Sequence, residues 1–232
     1  MPTPLLDVLL IQDTLVRLRD RIEERFPGAG LGRVAGDLIA VGDSTARLMT
    51  FLAQPNWPIR IAVWAIIITI GAVLVTLVAT LRLPTGIDGL ASAVQTTEAL
   101  INDFIFLGIA VFFLMSLEDR VKRRRALESL HKLRSIAHIV DMHQLTKDPV
   151  RVSSPAADTP SSPQRSLTTM ELGRYLDYCS EMLSVTGKLA ALHAQHFNDS
   201  VTLGAVNEIE NLCAAMSNKI WQKITMLERQ AP

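Results

Sequence analysis

The chain has 232 residues, is 49% hydrophobic and 20% charged, and balances 23 Lys and Arg against 23 Asp and Glu. That length admits one or two domains, and zero net charge excludes a general nucleic-acid binder, whose surface must be basic to meet phosphates. Cys179 and Cys213 are too few and too far apart for a disulfide framework or a C-x-x-C zinc site.

The average composition hides a segregation: a long apolar block in the middle of the chain is flanked by charged segments. A low aromatic fraction and the near absence of alternating β-branched runs outside that block predict an all-α fold. The amino-terminal MPTPLLDVLLIQD carries Asp7 within its apolar run and no early Lys or Arg, unlike a signal peptide. Asp13, Asp20, Glu23 and Glu24 are equally unlike a transit peptide.

From Leu5 to Phe26, Val8, Ile11, Leu15, Leu18, Ile22 and Phe26 recur every three or four positions. This is the stripe of an amphipathic helix with nearly coiled-coil rhythm. Three heptads are marginal alone, so the stripe needs a partner in the same chain or in another copy. Pro27 and Gly28 end it. A second stripe, Val34, Leu38, Val41, Leu48 and Leu52, runs to Pro55, with GAGLG as the turn between the two helices. Arg33 stands where a dinucleotide fingerprint needs its third glycine, and no strand precedes the run.

Ile59 to Leu81 carries one charge, Arg60 at its edge, and as a helix is about 34 Å long, enough to cross a hydrocarbon core of roughly 30 Å. Trp57 and Trp64 lie at one end, where interfacial aromatics are favoured. Ala65, Thr69, Ala72, Thr76 and Thr80 gather small side chains on one face, which admits close approach of a second span or a neighbouring subunit. Ile101 to Leu117 forms a shorter second span of about 25 Å. Asp103, in its first turn, is a charge favoured by the helix dipole and the candidate for an acidic pore mouth.

Beyond the second span come Arg120, Lys122, Arg123, Arg124, Arg125, Lys132 and Arg134, whereas the connection between the spans has Arg82 against Asp88, Glu98 and Asp103. The positive-inside rule then predicts a multi-pass membrane protein with both termini cytoplasmic, at the inner or plasma membrane if the source is bacterial. Lys122, Arg123, Arg124 and Arg125, with Trp57, Arg60 and Trp64, are the expected membrane-interface residues. Each such cation adds about 1 kcal/mol of attraction to anionic lipid.

No proline falls between Pro84 and Pro149, so one long helix is expected to leave the membrane and continue through Leu130, Leu133, Ala137 and Val140. Residues 146–167, with four prolines, read as an extended linker. Thr168 and Glu171 match a capping box opening a helix with the stripe Leu172, Leu176, Cys179, Leu183, Thr186, Ala190 and His193. Phe197, Asn198 and Asp199 close it and cap a last helix striped by Val206, Ile209, Cys213, Met216, Ile220, Ile224 and Leu227. The domain plan is therefore 1–56 amphipathic helices, 57–117 membrane hairpin, 118–145 basic helix, 146–167 linker and 168–232 helical hairpin.

Five histidines, His131, His138, His143, His193 and His196, fall in the C-terminal half. On one helix His131 and His138 stand about 10.5 Å apart, too far for one ion with ligand bonds of about 2.1 Å. His138 with Asp141 has the spacing of an oriented imidazole, and equally of an ordinary helical pair. No hydrolase, zincin, Walker or C-x-x-C pattern is present. The expected protein is non-enzymatic, without catalytic residues, metal or cofactor: a membrane anchor or scaffold whose cytoplasmic helices form a homo-oligomer or dock a protein partner. The alternative is a homo-oligomeric pore gated by those helices.

Overall fold

A computed structural model describes residues 5–80, 89–147, 149 and 167–230. Seven long helices form these residues, with no strand among them: α1 (Val8–Arg25), α2 (Gly30–Ala53), α3 (Trp57–Thr80), α4 (Gly89–Met115), α5 (Leu117–Leu145), α6 (Thr169–His196) and α7 (Ser200–Gln230). The protein is all-α. It divides into two compact units, one of residues 1–53 with 123–232, the other of residues 54–122.

In the first unit α1, α2, α6, α7 and most of α5 share one core. Asp7 caps α1 by accepting from the Leu9 amide, and Ile11, Leu15, Leu18 and Ile22 are buried as their spacing requires. Pro27 cannot continue the helix, and Gly28 supplies the left-handed residue of the turn at φ +73°. The turn is shorter than the glycine run suggested, because Gly30 already begins α2. A Cβ at Gly30 would lie 2.6 Å from the His143 ring, so a larger residue there would have to displace that side chain.

α6 is the central helix. It packs on α1, α2 and α7, so its buried surface extends beyond one stripe to include Tyr175, Met182, Leu189 and Leu192. An amphipathic helix touched from several sides loses its polar face. The partner that α1 and α2 need is therefore the C-terminal hairpin of the same chain. Leu130, Leu133, Ala137 and Val140 of α5 and the whole predicted stripe of α7 are buried in the same core.

Helix ends in this unit are satisfied by side chains, as an end removed from water requires. Thr168 and Glu171 form the reciprocal capping box. Asp199 accepts from the amide and hydroxyl of Thr202 at the start of α7. Lys223 of α7 donates to the carbonyls of Gln144 and Lys147 and to the Gln144 side chain, closing the C-terminus of α5.

In the second unit α3 and α4 lie against each other as an antiparallel hairpin, the start of α3 beside the end of α4. Pro58 sits in the first turn of α3, where its missing N–H is harmless. α3 turns Val63 and Ile67 toward α4, whereas Ala65, Thr69, Ala72 and Thr76 are exposed. The face of small residues thus points away from α4, and the hydroxyls of Thr69 and Thr76 donate back to their own helix's carbonyls.

α4 begins at Gly89, well before the apolar stretch. Alanine, leucine, glutamine and glutamate in 90–100 are good helix formers even where they are not apolar. At 27 residues it is about 40 Å long, so the shortness inferred for the second span does not apply to its helix. The expected single long helix is divided between α4 and α5 at Ser116, whose hydroxyl donates to the Phe113 carbonyl. The backbone bonds Ser116 N–H to Phe112 and Arg120 N–H to Ser116 nonetheless carry the helical path through.

Candidate membrane-interface site

The second unit pairs exposed apolar helices with one buried charged cluster. On α3, Ile61, Trp64, Ile68, Val73 and Val75 are exposed; on α4, Ile101, Phe104, Phe106, Ile109 and Phe112 are exposed. The first unit, by contrast, gathers most of its large aliphatic side chains in one buried core, although Leu5, Leu9 and Leu10 are exposed. An exposed apolar surface this continuous exceeds what a water-facing helix pair ordinarily carries. Among the described residues one helical stretch, Gly30–Val73, is long and apolar enough by length and composition to cross a membrane.

At the end of this hairpin Glu118, in the first turn of α5, is buried and gathers three donors. The Asn56 amide lies at 3.0 Å, the Arg60 Nε at 2.6 Å and the Lys122 Nζ at 3.1 Å. Lys122 also donates to the Gln54 carbonyl at 2.8 Å. Burial pushes the Glu118 carboxyl up, but Arg60, the Asn56 amide and Lys122 outweigh it and hold the group at about 2. It is a permanent anion clasping the entry of α3 to the exit of α4.

Arg60 and Lys122, expected at lipid, are ion-paired with Glu118, a residue not among the expected interface residues. The i,i+4 spacing of Glu118 and Lys122 was a visible signal; the long-range partner Arg60 was not. Lys122 is 8% exposed and engaged within the protein. Trp57 and Trp64, the other expected interface residues, are 65% and 59% exposed.

In the first unit, Arg123 makes a bidentate pair with Asp199. Asp199's carboxyl, pushed up by burial, is held below its usual range by Arg123 and Thr202. Arg125 stacks over the Phe51 ring at 4.3 Å. Arg124 extends outward, its side chain 84% exposed, and pairs with Glu128 at i,i+4. Four cations adjacent in sequence thus have four different environments. Asp103 lies within α4, but its side chain is outside the described residues, as is most of the 146–167 linker.

The histidines do not converge. Asp141 accepts from Gln144 rather than from His138, which is exposed. His193 is fully buried, with Nδ1 on the Leu189 carbonyl and Nε2 without a partner among the described residues. Burial lowers its pKa to about 4. Among the described residues no three His, Cys, Asp or Glu side chains group to hold a metal. Burial raises Cys179 to about 12 and Cys213 to about 11, so neither is a ready thiolate.

Comparison of the chain with protein-family models, with curated proteins and with solved structures gives no match.

Proposed function

We propose that this protein is a non-enzymatic integral membrane protein in which α3 and α4 cross the bilayer as a two-span hairpin. The first unit is then a helical domain held at the membrane, with both termini on the cytoplasmic side. It acts as a scaffold through self-association or partner docking. The observation that carries the reading is the contrast between α3 and α4, whose large apolar residues mostly face outward, and the first unit, which gathers most of its large aliphatics in one buried core.

The hydroxyls of Thr69 and Thr76 are already satisfied within α3. They leave that face without a polar stripe, which favours an anchor over a water-filled pathway. The outward face of small residues on α3 and the exposed Leu5, Leu9 and Leu10 near the start of α1 suit association with a further chain. Two measurements test the proposal. Membranes containing the full-length chain are washed with alkaline carbonate, and the mass of the detergent-solubilised protein is determined. Retention in the membrane with an oligomeric mass, or with a bound protein partner, supports it. Release into the wash overturns the anchor, and a lone monomer that conducts ions in liposomes overturns the scaffold in favour of a channel.

A further inference from the structure

Between the start of α3 and the end of α4 lies an open groove of about 280 Å³, small for a whole ligand and of a size for a headgroup with the first carbons behind it. Its walls are apolar at Val63, Ile67 and Leu114, and its mouth carries Arg60, Glu118 and Asp119. Glu118 is already occupied by Arg60 Nε, Lys122 and the Asn56 amide. Two charged groups at the mouth retain unused capacity. The Nη atoms of Arg60, whose side chain is half exposed, and the carboxylate of Asp119, also exposed, have no hydrogen-bond or ion-pair partner among the described residues.

A cationic fork beside an unpaired anion, above an apolar slot, is complementary to a zwitterion with a tail. We infer that this groove binds one aminophospholipid, with Arg60 taking the phosphodiester, Asp119 taking the primary ammonium and the apolar walls taking the first methylenes. Guanidinium forks match phosphate oxygens, and a primary ammonium donates hydrogen bonds to a carboxylate where a trimethylammonium cannot. The charges at the mouth, Arg60 and Lys122 against Glu118 and Asp119, sum to zero. An anionic headgroup would leave Asp119 unpaired beside it. The site therefore selects phosphatidylethanolamine over phosphatidylglycerol, although basic residues lie nearby in the sequence.

This inference rests on the reading of α3 and α4 as membrane spans. The test uses the full-length protein in detergent, titrated with phosphatidylethanolamine, phosphatidylcholine or phosphatidylglycerol of identical acyl chains. Bound lipid is read by native mass spectrometry. Phosphatidylethanolamine is expected to be retained about fivefold over phosphatidylcholine, the weight of one exposed charge-assisted pair. Asp119→Asn, at an exposed position with no partner among the described residues, is expected to bring that ratio within about twofold, because phosphatidylethanolamine loses the hydrogen-bonded ion pair that phosphatidylcholine never makes. Equal retention of the two lipids by the unsubstituted protein, preference for phosphatidylglycerol, or a ratio untouched by Asp119→Asn overturns the inference. If carbonate releases the protein from membranes, the anchor reading itself falls; if the protein stays and any of those lipid results is found, only the groove assignment falls.

Discussion

Asp199 does two jobs with one carboxylate, and substitutions separate them. Its Oδ2 accepts from the Thr202 amide and hydroxyl at the start of α7, and both oxygens accept from Arg123 on α5. Losing an N-cap costs about 1 kcal/mol. The ion pair is part-buried, the Arg123 side chain being 39% exposed and that of Asp199 10%, so after discounting for solvent it adds on the order of 1 kcal/mol. Asp199→Ala should therefore destabilise the start of α7 by about 2 kcal/mol, a roughly 30-fold faster opening. Asp199→Asn keeps a competent cap and loses only the charge, for about 1 kcal/mol or roughly fivefold. Hydrogen exchange of the full-length protein in detergent, followed at the Thr202 and Leu203 amides, reads this opening locally. Equal acceleration by both variants would show that the cap contributes nothing. Unchanged exchange in both would refute the assignment of Asp199 as the joint between α5 and α7.

Among the four collar cations, only Arg124→Gln is expected to weaken association with anionic vesicles, by up to about fivefold, whereas Lys122→Met should lower thermal stability, because Glu118 loses a buried partner. Flotation with and without phosphatidylglycerol, alongside a melting curve, checks both. His193 titrates below its ordinary value, so its stabilising contribution is fully present above about 6.5 and is lost as pH falls from there toward 4. That loss amounts to roughly 3 kcal/mol, and His193→Leu should flatten stability across that window; an unaltered pH profile would contradict the buried neutral imidazole. Leu189→Ala, in the fully buried middle of α6, should cost about 2–5 kcal/mol in chemical denaturation, against under about 0.5 kcal/mol for an exposed position such as Val201→Ala.

Periodicity made most of the helical fold legible. The stripes Ile11–Leu15–Leu18–Ile22 on α1 and Val206 to Leu227 on α7 are buried where their spacing placed them, and the Thr168 capping box is present in full. What a single sequence hides is which stripe meets which. The α1 stripe called for a partner in the same chain or in another copy without saying which, and its core is shared with α6, well over a hundred residues downstream. A stripe reports that a face is buried, and says nothing of the face across from it. The charged residues show the same limit. The i,i+4 spacing of Glu118 with Lys122 and of Arg124 with Glu128 is visible in the sequence, although no pairing was expected from it, whereas Arg60–Glu118 and Arg123–Asp199 join residues far apart in the chain. A basic run that resembled a uniform lipid collar resolves into a buried ion pair, an inter-helix joint, a solvated cation and a guanidinium stacked on Phe51.

The account stands or falls on whether α3 and α4 cross a bilayer. The chain's own thiols, buried and with raised pKa values, leave a quiet background for an introduced cysteine. In sealed vesicles carrying the full-length protein, Thr85→Cys, between the two helices in the sequence, and Glu24→Cys, at an exposed position of α1, are each treated with a membrane-impermeant maleimide before and after permeabilisation. The two-span hairpin predicts labelling from opposite faces of the membrane. Labelling of both from the same face would mean that the helices lie on the bilayer or outside it, and would contradict the central claim.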